Sequence, residues 1–270
     1  LQKIAITGHS GFIGSYLFDD FKEKYRCQGI SRSMGIDIGN YEELEGLDFD
    51  PEIIIHAAAT ANGNFEENFQ NNVIGTLNIC KYAKAKKVKH LILISSIFGI
   101  DREENGYFNA YGKTKKISED MAKAFCEENG IKLTILRCAQ VYDDRGVAKS
   151  AQAMLYYFIE TIRDKKSISL FGTKNPLRNY IHIDYLTAII KDVIEKSRYG
   201  TFNIVENKNH TIAEIAYMIF DLLRLQPNIT LLQDKPDIPS VYIPTDDRYI
   251  GDIQSIALRD GIQRILNHGK

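Results

Sequence analysis

The 270-residue sequence has no tryptophan, only six prolines and only four cysteines. The cysteines (Cys27, Cys80, Cys126, Cys138) are widely spaced. They form neither a disulfide framework nor a CxxC metal motif, so a stapled secreted scaffold and a zinc module are both disfavoured, and no metal is expected. Neither sign of charge is in excess: 34 Lys and Arg stand against 35 Asp and Glu, a formal charge of −1. That balance argues against nucleic acid as a partner bound through bulk electrostatics. No apolar run approaches the roughly 18 residues of a membrane span. Leu1 to Ile4 reads as the start of a strand, not as a signal peptide, and a reducing, cytoplasmic setting is the expectation.

What is present is a repeating alternation. Short apolar runs at Ile4–Ile6, Cys27–Ile30, Ile53–Ile55, Leu91–Ile94 and Leu133–Leu136 read as strands. Helical stretches at about Phe12–Lys22, Phe65–Ala85 and Tyr111–Glu128 separate them. Leu91–Ile94 is apolar at every position, as a strand covered on both faces must be. Strand–helix alternation of this kind predicts an α/β fold with a doubly wound parallel (Rossmann) sheet and right-handed crossovers. After about residue 145 the texture changes. Five of the six prolines (Pro176, Pro227, Pro236, Pro239, Pro244) fall there, and two helices stand out, Tyr185–Lys196 and Ile212–Leu223. The expectation is a dinucleotide-binding domain over residues 1–145 and a smaller substrate lobe over 146–270, with about 179–205 returning to the first. The lysines at 81, 84, 86, 87 and 89 read as a solvated helix end.

The sharpest local signal is Thr7-Gly8-His9-Ser10-Gly11-Phe12-Ile13-Gly14, between the first strand and the first helix. Gly8 suits a tight turn, Gly11 lets backbone N–H groups approach a pyrophosphate, and Gly14 lets the helix pack on the sheet. The helix N-terminus adds partial positive charge facing the phosphates. Ser10, Phe12 and Ile13 complete the loop. The spacing is GxxGxxG, and TGHSGFIG resembles the cofactor loop of the extended short-chain dehydrogenase/reductases. That family includes nucleotide-sugar epimerases, dehydratases and ketoreductases.

The end of the second strand discriminates between coenzymes. A carboxylate there accepts from the adenosine ribose of NAD, and a cation there meets the 2′-phosphate of NADP. This sequence has Gly29-Ile30-Ser31-Arg32-Ser33, with no acid. Arg32, helped by Ser31 or Ser33, therefore favours NADP(H), with NAD(H) the alternative. Asp37 resembles the family's acidic residue near the adenine amino group and equally suits a turn. His56-Ala57-Ala58-Ala59 resembles the family's HxAA segment, where small Ala57 and Ala58 let the backbone sit close to the coenzyme. His56 itself is expected to be structural. Asn71-Asn72-Val73-Ile74-Gly75-Thr76 also resembles the family, and implies that Asn72 ties two strands together.

Chemistry requires a proton donor beside the hydride. YxxxK is a loose pattern and occurs twice, at Tyr82–Lys86 and Tyr111–Lys115. Only the second follows a strand ending in serines, Ser95-Ser96, at the carboxyl edge where open α/β sheets bind ligands. Tyr111 and Lys115 are four apart, on one helix face. The order of strand, Ser96, Tyr111 and Lys115 resembles the short-chain family's catalytic set. It implies that Tyr111 is the general acid or base, that Ser96 holds the substrate oxygen, and that Lys115 holds the nicotinamide ribose. A phenol titrates near 10, so reaching about 7 takes roughly 4 kcal/mol of phenolate stabilisation, which a nearby ammonium could supply. Ser95 is the fallback for Ser96, because the following connection is short for this family. The adjacent Asp-Glu pair of the sugar dehydratases is missing.

The second half suggests the substrate. Leu136-Arg137-Cys138-Ala139-Gln140-Val141-Tyr142 resembles the family's LRxxNVYG, with Gln140 as a donor to substrate. Arg178-Asn179-Tyr180-Ile181-His182-Ile183-Asp184 resembles a segment whose Arg meets a substrate diphosphate; the alternative is a structural ion pair. His182 and Asp184 suit the start of the next helix. In Thr245-Asp246-Asp247-Arg248, Arg248 stands in for a second diphosphate contact. The resemblance implies a homodimer and a nucleotide-diphosphate-sugar ketoreductase. An epimerase retaining NAD is the near alternative, and a non-catalytic dinucleotide sensor is the distant one.

Overall fold

The apolar runs become strands because each is covered from both sides. In the computed structural model, which describes residues 1–244, 246–249 and 251–268, Ile53–His56 and His90–Ser96 are buried at every position. The chain runs through β1 (Lys3–Thr7), α1 (Phe12–Phe21), β2 (Arg26–Ile30), α2 (Tyr41–Glu45), β3 (Ile53–His56) and α3 (Phe65–Asn68). It continues through α4 (Gly75–Ala85), β4 (His90–Ser96), α5 (Ala110–Glu128), β5 (Lys132–Cys138) and β6 (Gln140–Tyr142). Then come α6 (Ala153–Arg163), β7 (Ile168–Phe171), β8 (Leu177–Arg178), β9 (Tyr180–His182) and α7 (Ile183–Glu195). The last elements are β10 (Gly200–Ile204), β11 (His210–Thr211), α8 (Ile212–Leu222), β12 (Ile229–Leu232) and α9 (Leu258–His268).

Six strands form one sheet in the order β10-β5-β4-β3-β1-β2, every neighbour parallel. The doubly wound sheet expected from the sequence is therefore present. Alternate residues serve opposite faces. Ile4, Ile6, Ile53 and Ile55 pack with Leu17 and Phe21 of α1 and Leu186 and Ile190 of α7. Ala5, Ile54, Leu91 and Leu93 pack with Ile79 and Tyr82 of α4 and Ala122 and Cys126 of α5. Such two-sided cover follows from the period of two along a strand. The order of strands reverses at β1, which lies between β2 and β3, so the crevice beyond their carboxyl ends is the ligand position physics favours.

Residues 180–204 rejoin this body: β9 pairs with β6, and β10 closes the sheet beside β5. The remaining C-terminal residues build a second core, in which Leu155 and Ile162 of α6 meet Ile215 and Ile219 of α8 and Ile262 of α9. The expected helix over Phe65–Ala85 is interrupted: Phe69–Ile74 is a π-helical turn between α3 and α4. The lysine cluster is solvated, with Lys86 reaching Asp50 and Lys89 reaching Glu52 at the surface. No helix among the described residues is long and apolar enough to cross a membrane.

Candidate active site

The glycine loop is shaped by close approach. Gly8 has φ +68°, where side chains are strained, and a Cβ there would lie 2.8 Å from the Ala58 backbone. A Cβ on Gly14 would lie 2.1 Å from the Gly8 carbonyl oxygen. The loop therefore closes over itself and leaves the start of α1 bare: Gly11 occupies the cap position and supplies no side-chain acceptor. The first N–H groups of a helix have no partner inside it, so an uncapped start is a place for an anion. A cavity of about 360 Å³ opens there. Gly8, Ser10, Gly11, Phe12, Ile13, Gly14, Arg32, Asp37, Ala57 and Ala58 all line it, together with Tyr111. The residues picked from four separate stretches of sequence thus share one wall. Their fit to a dinucleotide is good, because the cradle is backbone where phosphates need it.

At the end of β2, Arg32 begins a short 3₁₀ turn and is exposed to the cavity mouth. Beside it the hydroxyls of Ser31 and Ser33 are 2.7 Å apart. Asp37 is a turn residue, its carboxylate accepting from the Gly39 N–H at 2.8 Å, and it also lines the cavity.

Ser96 ends β4 and Tyr111 lies in the first turn of α5, near enough for the Ser96 hydroxyl to favour the phenolate. Ser95 points the other way and donates to Glu119 at 2.5 Å, which leaves Ser96 as the serine on the tyrosine's side. Lys115 is only 3% exposed, and its Nζ donates to the Ile94 carbonyl at 2.7 Å. Efficient proton exchange favours a phenol near 7, and here the structure differs. Burial pushes Tyr111 up to about 12, Cys138 adds to the rise, and only the Ser96 hydrogen bond opposes it. Burial likewise lowers Lys115 to about 8, against the opposing pull of Glu119 and Cys138.

That depressed lysine has a stability consequence. With a folded value near 8 and an ordinary value of 10.5, the folded chain gives up this proton first. Below pH 8 the buried ammonium destabilises by its full amount, about 3 kcal/mol at 1.36 per unit. Between 8 and 10.5 the unfolded chain holds the extra proton, so stability rises with pH and the penalty fades. Replacing Lys115 by Met removes its hydrogen bond to the Ile94 carbonyl, at about 1 kcal/mol. The coenzyme-free Lys115→Met protein is therefore expected to be about 2 kcal/mol more stable at pH 7, with the gain shrinking by pH 10. Urea melts at the two pH values check this; a variant weaker than wild type at pH 7 contradicts it.

His56 is structural, as its position suggested. Its Nδ1 lies 2.6 Å from the Thr7 hydroxyl and its Nε2 3.0 Å from that of Thr76. The Thr76 hydroxyl donates to the Asn72 carbonyl, so Nε2 carries the proton and Nδ1 accepts. Burial lowers His56 to about 3, with the Lys115 charge in support, and the ring stays neutral. Asn72 does not tie two strands together. From the π turn its amide donates to the Thr60 carbonyl and the Thr114 hydroxyl and accepts from the Thr60 N–H. It therefore joins the loop after β3 to the helix that carries Tyr111.

On the substrate side, the Gln140 amide is engaged within the protein. Its Nε2 donates to Gln152 at 3.2 Å and lies near the Tyr180 hydroxyl, while its buried Oε1 has no partner among the described residues. Arg178 is 3% exposed and lines neither this cavity nor the next. Its NH1 donates to the carbonyls of Leu177 and Pro239, at 2.7 and 3.0 Å, and its NH2 to the Tyr107 hydroxyl at 2.8 Å. No carboxylate pairs with it among the described residues, so the structural ion pair is not what holds it. His182 caps α7 by accepting from the Asp184 N–H. Arg248 does not join the group: it donates to the Pro244 carbonyl and bridges toward Asn203 at the sheet edge. Thr245 lies outside the described residues. The sequence reading missed a second, larger cavity of about 750 Å³ in the C-terminal lobe, walled by Tyr157, Phe158, Phe171 and Tyr217. Ala151 lines the first cavity and Ala153, which opens α6, lines the second.

A parallel sheet with a glycine-loop cavity at its switch point, and a tyrosine, serine and lysine at its end, defines a dinucleotide-binding enzyme class. The NAD dependent epimerase/dehydratase family model matches residues 4–204, and the chain belongs to that family. A Methanocaldococcus jannaschii protein, provisionally named a UDP-glucose 4-epimerase, is 27% identical over 302 aligned positions, covering 98% of this chain and 97% of the relative. The Thermus thermophilus UDP-glucose 4-epimerase, solved with NAD, superposes with a TM-score of 0.76 at 19% identity, covering 99% and 98% of the two chains. A Bacillus cereus UDP-glucuronic acid 4-epimerase variant, solved with NAD and a fluorinated UDP-sugar, reaches 0.81 at 20% identity, covering 99% and 98%. The 302 aligned positions exceed the 270 residues of this chain, so it carries shorter connections than that relative.

Proposed function

We propose that this chain transfers hydride between a nicotinamide dinucleotide and a ring carbon of a nucleotide-diphosphate sugar, reducing a ring ketone. The observation that carries the reading is Tyr111 in the wall of the glycine-loop cavity, with Ser96 at the end of β4 on the tyrosine's side. When bound, the coenzyme supplies the hydride. Tyr111 gives its proton to the ketone oxygen, Ser96 donates to the same oxygen, and Lys115 turns from the Ile94 carbonyl to the ribose hydroxyls. A phenol held at about 12 is fully protonated at neutral pH, so the proton is present; Lys115 turned to the ribose beside it would bring the phenol down toward neutrality, where transfer is efficient. The aromatic cavity of the C-terminal lobe is suited to the nucleoside. A guanidinium 3% exposed and without an acidic partner is costly unless an anion completes it, which supports Arg178 as the diphosphate contact.

The reductive form rests on Arg32 and the two serine hydroxyls, which offer a cation and no carboxylate to the adenosine ribose, so NADPH is the coenzyme inferred. A second reading is favoured by the NAD-bound epimerases among the structural neighbours: a 4-epimerase that keeps NAD. Nucleotide released from the denatured protein, together with titrations of the stripped form, separates the two. The reductase is expected to bind NADPH tightly and to lose about 10- to 100-fold of that affinity in Arg32→Ala, the worth of a charged hydrogen bond. Co-purified NAD with weak NADPH binding overturns the Arg32 assignment and selects the epimerase.

A further inference from the structure

We infer that Tyr107 is a substrate-positioning residue of this site: it orients Arg178 toward an anion and offers its own hydroxyl proton to the same anion. The inference rests on the nucleotide-sugar reading and adds a residue to it. Tyr107 lies in the connection between β4 and α5, four residues before Tyr111. Its ring stacks on Phe98 with centroids 4.7 Å apart and planes 16° from parallel. The connection is knotted from within, because the Asn105 amide donates to the carbonyls of Ile97, Phe98 and Ile100. Tyr107 is thus held in place before any ligand arrives. Its hydroxyl accepts from Arg178 NH2 at 2.8 Å, and the guanidinium carbon stands 5.4 Å from the ring centroid.

A phenol that accepts from a cation keeps its own proton to give. No acceptor for that proton is found among the described residues, and the same cation has no carboxylate. An oxyanion placed against Arg178 would satisfy both groups at once, which is the chemistry of a phosphate or diphosphate. Arg178 also touches the strap before Val241 through the Pro239 carbonyl, and Gly106 packs so closely on Pro239 that a Cβ would stand 2.4 Å away. The anion would therefore be tied to the loop that leads into Tyr111, not to the lobe alone.

The test is calorimetric binding of UDP, pyrophosphate and uridine to the full chain, wild type against Tyr107→Phe, Arg178→Met and the double variant. Tyr107→Phe keeps the stacked ring and removes only the hydroxyl. The expected result is about tenfold weaker UDP and pyrophosphate, with uridine and coenzyme affinity unchanged. In the Arg178→Met background the same change should add nothing, because the two groups act on one anion. Equal pyrophosphate and UDP affinity in wild type and Tyr107→Phe overturns the inference while leaving the nucleotide-sugar reading standing. Equal loss for uridine and coenzyme overturns it too, since that is a general disturbance of the fold. If wild type binds neither UDP nor pyrophosphate, the nucleotide-sugar reading itself falls.

Discussion

Tyr111→Phe is expected to lower turnover by about 10²- to 10⁴-fold, the usual worth of a positioned general acid, while coenzyme binding stays within a factor of two or so. The substitution keeps the ring that lines the cavity and removes the hydroxyl proton on the Ser96 side. The hydride has no use without a proton for the oxygen, so the loss should appear in kcat, with little change in KM. Ser96→Ala should cost less, because it removes a hydrogen bond and not the proton itself. The same variant separates the enzyme from a dinucleotide sensor built on this fold. A sensor needs the glycine loop and has no use for the phenol, so unchanged biological activity in Tyr111→Phe would overturn the catalytic role. Abolished coenzyme binding would instead show that the tyrosine shapes the cavity.

The parts of the site that were legible in the sequence are those whose meaning is local. A strand, a glycine loop and a helix start are consecutive, so Gly8 to Gly14 carry their geometry with them. The choice between Ser95 and Ser96 was legible in principle as well: neighbours on a strand face opposite sides, and only one can share a side with Tyr111. The π turn at Phe69–Ile74 was not, because one extra residue in a helical turn leaves the apolar pattern almost unchanged. Asn72, expected from the family resemblance to tie two strands together, reaches Thr60 and Thr114 from within that turn instead. The surroundings of Arg178 were hidden for a different reason: its partners Tyr107 and Pro239 lie 71 and 61 residues away and were brought together by the fold. The lobe cavity is likewise made by α6, β7, α8 and β12, none of which announces a wall by itself.

Glu119→Leu is expected to destabilise the chain by about 3–5 kcal/mol, the cost of stranding one member of a buried ion pair. Glu119 is fully buried and Arg137 only 16% exposed. One carboxylate oxygen accepts from Arg137 NH2 at 2.6 Å and Nε at 2.9 Å, and the other from the Ser95 hydroxyl at 2.5 Å. These contacts pin α5 to β4 and β5 one turn beyond Lys115, at the strand ends that carry Ser96 and Cys138. Arg137→Met should cost at least as much, since it leaves an acid with no solvent at all. The double variant Glu119→Leu/Arg137→Met should recover most of the loss, because both desolvation penalties then disappear. Urea midpoints at constant slope measure this, and single variants within about 1 kcal/mol of wild type would falsify the pinning role. A second readout follows from charge. Glu119 helps Lys115 keep its proton, so without it the ammonium is lost at a pH below about 8. If Lys115 holds the ribose, coenzyme affinity in the double variant should fall off at lower pH than in wild type even where stability has been restored.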